Sequence, residues 1–234
     1  MSKTKVDKGE VPLSSGKTDI KSDEARTSNE MDNRIAETTK KLIENGFSVI
    51  NFHQANDVAK WFAGVFKAPM IVGIGGSVSV HSLGIPAMLK AMQIEVLDHA
   101  TAANKEEARK IQRAIFDADA YLCSANAITA KGEIFNVDAA GNRVAAMNFG
   151  PKNVYLVVGK NKIVDNIDEA YKRVRNVVAP QNCERLHLPN PCVETGHCME
   201  CNSDTRICNT YSIIRRQPWG NHITIMLVDE DMGF

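Results

Sequence analysis

Short apolar segments and amphipathic segments alternate along most of this 234-residue chain. Runs such as PMIVGI (69–74) and VYLVVG (154–159) have the length and apolar content of buried strands. Amphipathic stretches such as KEEARKIQRAIFDA (105–118) lie between them and have the period of a helix. The alternation continues over about residues 35–180. It predicts an α/β fold with a mostly parallel, doubly wound sheet covered by helices on both faces.

The two ends of the chain have a different character. Residues 1–30 are polar and lack an apolar period, which predicts a flexible N-terminal extension. Residues 31–234 then form one α/β domain. After Pro180, QNCERLHLPNP (181–191) is predicted to be irregular. The closing segments YSIIRR and HITIMLV predict an antiparallel pair of strands near the edge of the same sheet.

Charge and hydropathy exclude several classes of protein. The 28 basic and 28 acidic side chains give a formal net charge of zero, which argues against a nucleic-acid partner because phosphate binding needs a basic excess. No apolar run approaches about 18 residues, so no membrane span is expected. The N-terminus has no apolar core of a signal peptide, which predicts a cytoplasmic protein with reduced thiols.

Four of the six cysteines lie within PCVETGHCMECNSDTRICN (191–209). Their spacing is C-x5-C-x2-C-x6-C, and a dense cysteine group in a reducing compartment indicates a metal site. The predicted ligands, in a loop at 190–209, are Cys192, Cys198, Cys201 and Cys208. Four sulfurs bind either a 4Fe-4S cluster or a structural zinc ion, and zinc sites usually show two C-x2-C pairs where this chain has one. Redox-active thiols are a third interpretation, and Cys183 is an alternative fourth ligand.

A glycine turn follows one of the predicted strands. In GIGGS (73–77), Gly75 and Gly76 allow a sharp turn, and Ser77 is a natural N-cap for a following helix. Backbone N–H groups at such a turn bind anions. The turn lacks the lysine of a Walker loop and the last glycine of a dinucleotide-binding fingerprint. A glycine turn required only for packing is the alternative.

A polar run, SANAITAKGEIFNVDAAGNRVAAM, follows the strand that ends near residue 125. Loops at the carboxyl ends of strands line the ligand crevice of an open α/β sheet. Arg143 either holds a carboxylate or phosphate in a bidentate fork or is a structural arginine paired with Asp138. In the alternative interpretation, the other asparagines and aspartates of this run only form the turns of a hairpin and do not line a ligand site.

These segments together resemble one known family. GIGGSVSVHSLGI, the run from Ser124 to Val164, the Ala179–Pro180 dipeptide and the closing RICN…IIRRQP are similar to the LUD-domain, or lactate-utilisation, family over about residues 31–234. The resemblance implies a Rossmann-like three-layer sandwich resembling the ribose-5-phosphate isomerase and CoA transferase fold. The chain lacks the Asp-Gly-Ala-Asp run of the isomerases, and no acid clearly replaces the nucleophilic glutamate of the transferases, Glu133 being the nearest.

The resemblance also implies a ligand pocket and a function. By analogy the pocket for a small anionic molecule is lined by residues of the glycine turn and the polar run, namely Gly75, Gly76, Ser77, Asn126, Asp138, Asn142 and Arg143. The expected function is electron transfer in the oxidation of lactate or a related carboxylate, with an iron–sulfur or flavin redox partner protein. The alternatives are a non-catalytic partner subunit and an isomerase- or transferase-type enzyme with a structural zinc ion.

Overall fold

The computed structural model describes residues 33–234, so the predicted extension at 1–30 lies outside the described residues. A first helix, α1, occupies 33–44. The helices and strands that follow are β1 (Ser48–Phe52), α2 (Ala55–Val65), β2 (Ile71–Ile74), α3 (Val78–His81), α4 (Ile85–Ala91), β3 (Glu95–Asp98), α5 (Lys105–Ala114), β4 (Ala120–Cys123), β5 (Ala127–Thr129), β6 (Ile134–Asp138), α6 (Asn142–Phe149), β7 (Asn153–Gly159), β8 (Ile163–Val164), α7 (Ile167–Arg173), α8 (Ala179–Arg185), α9 (Pro191–Thr195), β9 (Thr210–Ile214) and β10 (His222–Val228).

A six-stranded sheet forms the centre of the domain. Its strand order is β1-β10-β7-β4-β2-β3, and every neighbouring pair is parallel. Parallel strands need crossover connections that place helices on the sheet faces, so the central strands are buried on both sides. The predicted α/β class with a parallel sheet between helical layers is confirmed.

Two apolar clusters separate the faces of this sheet. On one face, Phe62 of α2 and Leu89 of α4 pack against Leu122 and Met226. On the other face, Leu42 of α1 and Met147 of α6 pack against Leu156. Alternate residues of β10 belong to different clusters, because successive side chains of a strand point to opposite faces. β10 therefore contributes to both cores.

A smaller four-stranded sheet packs beside the second face. Its order is β8-β5-β6-β9, in which β6 pairs antiparallel with both β5 and β9. The turn between β5 and β6 contains Gly132, whose φ is +75°. Phe135 of β6 and Ala170 of α7 are buried in a third apolar cluster, so α7 covers the outer face of this sheet. The polar run of the sequence thus contains a real hairpin.

The C-terminal third departs from the sequence-based prediction. YSIIRR and HITIMLV are not an antiparallel pair: β9 joins the small sheet, while β10 lies inside the large sheet between β1 and β7. The 181–191 segment is not wholly irregular, because α8 continues through it to Arg185 with Pro180 at its start. Pro191 begins the short helix α9 because proline is tolerated in a first helical turn.

No helix within residues 33–234 combines the length and the apolarity needed to cross a membrane.

Candidate functional site: a crevice beside a cysteine-lined cavity

A crevice of about 250 Å³ opens at the carboxyl ends of the parallel strands. Gly76 and Ser77 follow β2, Ser124 and Asn126 follow β4, and Lys162 follows β7. Asp138, Asn142 and Arg143, from the end of β6 and the start of α6, also line it. Six of the seven sequence-predicted pocket residues therefore line one cavity, at the place where open α/β sheets bind ligands.

The glycine turn has two distinct parts. Gly75 is buried beneath the crevice, and a Cβ at this position would lie 2.6 Å from the Tyr121 hydroxyl. The packing interpretation therefore holds for Gly75. Gly76 is exposed to the crevice, and Ser77 caps α3 as predicted, because its hydroxyl accepts a hydrogen bond from the N–H of Val80 at 3.3 Å.

Arg143 is held almost entirely by protein groups. Its Nε donates to Oδ1 of Asp138 at 2.8 Å, and its Nη2 donates to Oδ1 of Asn126 and to the carbonyl of Val137, both at 2.8 Å. Nη1 makes a long 3.4 Å contact to the carbonyl of Ser124. The structure thus favours the structural pairing with Asp138 that the sequence left open. Arg143 fixes the floor of the crevice, and only Nη1 has donor capacity left for a ligand.

The other predicted polar residues belong to the same network. Asp138 accepts a hydrogen bond from the N–H of Val144 at 2.9 Å through its second carboxylate oxygen. Asn126 Oδ1 also accepts from the N–H of Val137 at 2.8 Å. The side chains of Asp138 and Asn126 are thereby oriented, and both residues are buried. Asn142 starts α6 at the rim of the crevice.

Lys162 is a lining residue that the sequence analysis missed. It is 3% exposed, and its Nζ lies 3.0 Å from Ser79 Oγ and 3.0 Å from Ser124 Oγ. No carboxylate in the described part of the chain pairs with it. Burial, and to a smaller extent the positive charges of Arg173 and Arg143, lower the pKa of Lys162 to about 7. The sequence signal that could have pointed to Lys162 is its position shortly after a buried strand.

Basic groups predominate around this crevice. Arg185 lines it and donates to Asn182 Oδ1 at 2.8 Å. Arg173 lies behind it and donates to the carbonyl of Asn126 at 2.9 Å. Asp138, whose side-chain carboxylate lines the crevice, is already paired with Arg143. A small anion would therefore find an unbalanced positive field in a partly desolvated site.

A second, smaller cavity adjoins the crevice and is lined by cysteines. All four predicted ligands, Cys192, Cys198, Cys201 and Cys208, border it, and so does Cys183, the alternative ligand. Ala179, Ile207 and Cys208 line both cavities. Cys123 is instead buried in the core of the large sheet, as predicted. Tertiary structure thus brings five of the six thiols around one space.

The loop that carries these cysteines is anchored at several points. The N–H of Cys198 donates to the carbonyl of Arg175 at 2.8 Å. The guanidinium of Arg206 donates to the carbonyls of Cys201 at 2.8 Å and Cys208 at 3.2 Å. The N–H of Glu200 donates to Sγ of Cys198 at 3.3 Å. Backbone N–H groups directed at cysteine sulfur are typical of the surroundings of metal-bound thiolates, where they tune the reduction potential.

Two of these thiols, Cys192 and Cys208, are held in the protonated form at neutral pH. Burial, and to a smaller extent the hydrogen bond with Cys183, raise the pKa of Cys192 to about 12. Burial likewise raises the pKa of Cys208 to about 11. A bound metal must displace these protons, so its affinity falls with falling pH.

Within residues 33–234, no three cysteine, histidine, aspartate or glutamate side chains converge closely enough to hold a metal ion. The thiols border one cavity without forming a closed ligand set.

The chain is similar to one protein family and to several solved structures. The LUD domain model matches residues 35–228. A DUF162 family protein from Deinococcus radiodurans is similar in structure, with 14% sequence identity, a TM-score of 0.48, and coverage of 85% of this chain and 98% of that chain. A D-ribose-5-phosphate isomerase in complex with phospho-erythronic acid matches with 14% identity, a TM-score of 0.36, and coverage of 57% and 64%. No curated protein matches the sequence. Because the domain model matches most of the chain, this protein belongs to the LUD-domain family.

Proposed function

We propose that this protein takes part in the oxidation of lactate or a related small carboxylate, which it binds in the crevice, and that it carries a 4Fe-4S cluster in the cysteine-lined cavity. Membership of the LUD family supports a role in lactate utilisation. The observation that carries the proposal is the contact between the two cavities. Cys208, a predicted cluster ligand, lines both of them.

The crevice is suited to a small carboxylate by its charge. Arg185 lines it, and the carboxylate of Asp138 is already paired with Arg143. Fixed donors in a partly buried site bind a carboxylate more strongly than solvated surface lysines do, because less water competes for the anion. The role of the Arg143–Asp138 pair is to hold Asn126 and the start of α6 in place around the ligand.

Cys192, Cys198, Cys201 and Cys208 would hold the cluster, with Cys183 as an alternative ligand. When bound, a cluster of this type supplies one-electron transfer between a substrate and a redox partner. The protein's own contribution is to bury the thiols, to direct the Glu200 N–H at Cys198 sulfur, and to anchor the loop through Arg206. A second redox protein, with an iron–sulfur or flavin centre, is the expected electron partner.

The first test is anaerobic purification followed by iron, zinc and sulfide analysis and an absorbance spectrum. The proposal predicts iron and sulfide in nearly equal amounts, with a brown colour that bleaches when dithionite is added. Zinc without sulfide would overturn the redox function, and the cysteine loop would then be a structural clip.

A substitution tests whether the cavity cysteines bind the metal. Cys201→Ser should lose most of the bound iron and increase hydrogen exchange in the 190–209 segment, because metal binding and loop ordering are coupled. Cys123→Ala removes a core thiol that lies away from the cavity, and it should lower stability without lowering the iron content of the folded protein. Equal iron content in wild type and Cys201→Ser would contradict the ligand assignment.

A further inference from the structure

The crevice contains a lysine that the oxidation of a hydroxy acid does not by itself require. We propose that Lys162 is a carbonyl-reactive lysine that condenses with a small 2-oxo carboxylate to form an imine. This inference rests on the carboxylate-binding part of the proposed function and is independent of the metal.

The hydrogen bonds around Lys162 define the state of its amine. Ser79 Oγ donates its proton to the carbonyl of Met232 at 3.3 Å, and Ser124 Oγ donates its proton to the carbonyl of Ala125 at 3.3 Å. Both hydroxyl oxygens must therefore accept from Nζ of Lys162. Two N–H bonds of Nζ are thus committed to protein, and one tetrahedral position is left for a proton or a lone pair.

The surroundings of Lys162 favour its neutral amine near neutral pH, so that the remaining position on Nζ holds a lone pair. Lys162 is buried, it has no carboxylate partner within the described residues, and Arg173 and Arg143 lie near enough to oppose a further positive charge. Burial, as the larger cause, and these cations bring its pKa to about 7. A neutral amine is the nucleophilic form of lysine, and desolvation beside other cations is a known way to produce it.

The crevice can present a 2-oxo acid to this amine. Gly76, Ser77 and Ala125 are small residues in the lining, so space remains in front of the strand ends. Arg185, in the same lining, is suited to the carboxylate of the ligand. A 2-oxo carboxylate has the carboxylate and the adjacent electrophilic carbon in one small molecule, and it is the oxidised form of a 2-hydroxy acid.

Formation of the imine from the Lys162 amine and a 2-oxo carboxylate needs neither an oxidant nor a reductant. The Nζ lone pair attacks the carbonyl carbon and forms a C–N bond, while the π electron pair moves to the carbonyl oxygen. That oxygen takes a proton released by the nitrogen and becomes a hydroxyl group. The nitrogen lone pair then forms the C=N bond as the hydroxyl group leaves, and the second proton of the nitrogen goes to the departing oxygen, so the products are a neutral imine and one water molecule.

Reductive trapping tests this directly. The full-length protein is incubated with pyruvate and sodium borohydride near pH 7, digested, and mapped by mass spectrometry. The expected result is one pyruvate-derived, reduced adduct per chain, located on Lys162 and at least tenfold more abundant there than on any other lysine. Because the wild-type peptide map identifies the site, the test does not depend on whether a variant folds.

Matched variants sharpen the result. Lys162→Arg keeps a cation but cannot form the imine, and it should abolish the adduct. Lys160→Arg lies two residues away and preserves the ion pair with Asp229, so it should retain the adduct. Adducts spread over surface lysines, or no adduct at all, would overturn the proposal.

The melting temperature with and without pyruvate or lactate separates this failure from failure of the proposed function. A ligand-induced rise in melting temperature without an adduct would leave the carboxylate site intact and exclude only the reactive lysine. If neither ligand raises the melting temperature and no adduct forms, both the carboxylate site and the reactive lysine are excluded. Iron content, measured on the same sample, reports on the cysteine cavity independently.

Discussion

At the scale of single residues, the structure separates side chains that can meet a ligand from those that hold the site together. The sequence allows Arg143 either to bind an anion or to pair with Asp138, and in the structure most of its donors are taken by Asp138, Asn126 and Val137. Lys162 carries no motif, yet it is the buried basic group of the crevice. The sequence places a charged residue along the chain, but only its neighbours decide how many of its hydrogen bonds remain for a ligand.

Arg143→Ala tests this structural role. The substitution leaves the buried carboxylate of Asp138 unpaired and removes the link to Asn126, so the free energy of unfolding should fall by about 2 to 4 kcal/mol. Urea denaturation followed by circular dichroism measures it. Lys110→Ala, which removes the exposed ion pair with Glu106, should cost less than about 0.5 kcal/mol. Similar losses in the two variants would show that Arg143 is not structural.

At the scale of elements, the strands of the large sheet and the longer helices follow the apolar periods of the sequence. The exceptions have local physical reasons. α8 continues directly from α7 through a π-helical turn at Val174–Val178, and this wider turn immediately before Pro180 already departs from the regular i→i−4 hydrogen bonding that a proline would interrupt. The β5–β6 hairpin turns at Gly132 and packs against α1, since a Cβ at Gly132 would lie 2.7 Å from the backbone carbon of Lys41. This close approach joins the small sheet to the first helix.

Gly132→Ala should therefore be more damaging than an alanine at another left-handed glycine. Gly84 has a φ of +65° and open space around it, so Gly84→Ala should cost about 1 kcal/mol from backbone strain alone. Gly132→Ala adds a clash with the α1 backbone and should cost about 2 kcal/mol more. Thermal or chemical denaturation of the two variants checks the difference. Equal losses would mean that the hairpin moves away from α1 without penalty.

At the scale of the whole molecule, the crevice is assembled from segments distant in the chain. The loops after β2, β4 and β7 meet the start of α6, α8 and the final residue, Phe234. The cysteine-lined cavity joins it because α8 brings Ala179 and Cys183 against the loop that contains Cys208. Because ionisable side chains are buried inside this site, the free energy of unfolding depends on their protonation.

Lys162 should make the stability of the protein pH-dependent. Its pKa is about 7 in the folded state, against an ordinary value of 10.5, so the unfolded chain binds more protons between these limits. The free energy of unfolding should rise as pH increases from 7 to about 8.5, and Lys162 should contribute about 1 to 2 kcal/mol of that rise.

Urea unfolding of wild type and Lys162→Met at the two pH values isolates this contribution. The buried cysteines, whose pKa values are raised, act in the opposite direction, but they are common to both proteins and cancel in the comparison. If the wild type and Lys162→Met show the same change with pH, Lys162 is not buried as a neutral amine.

The sequence by itself determined the α/β class, most of the strand and helix positions, the glycine turn with its Ser77 cap, and the grouping of four cysteines. These features are local, because periodicity, capping and residue spacing act over a few neighbouring residues. Tertiary structure decided that β10 lies inside the large sheet while β9 joins the small one, since both are short apolar segments and pairing depends on the surfaces that remain to be covered. It also decided that Arg143 is held by Asp138, that Cys183 joins the other thiols, and that Lys162 is buried beside two serines, because burial and partnership arise only when distant segments pack together.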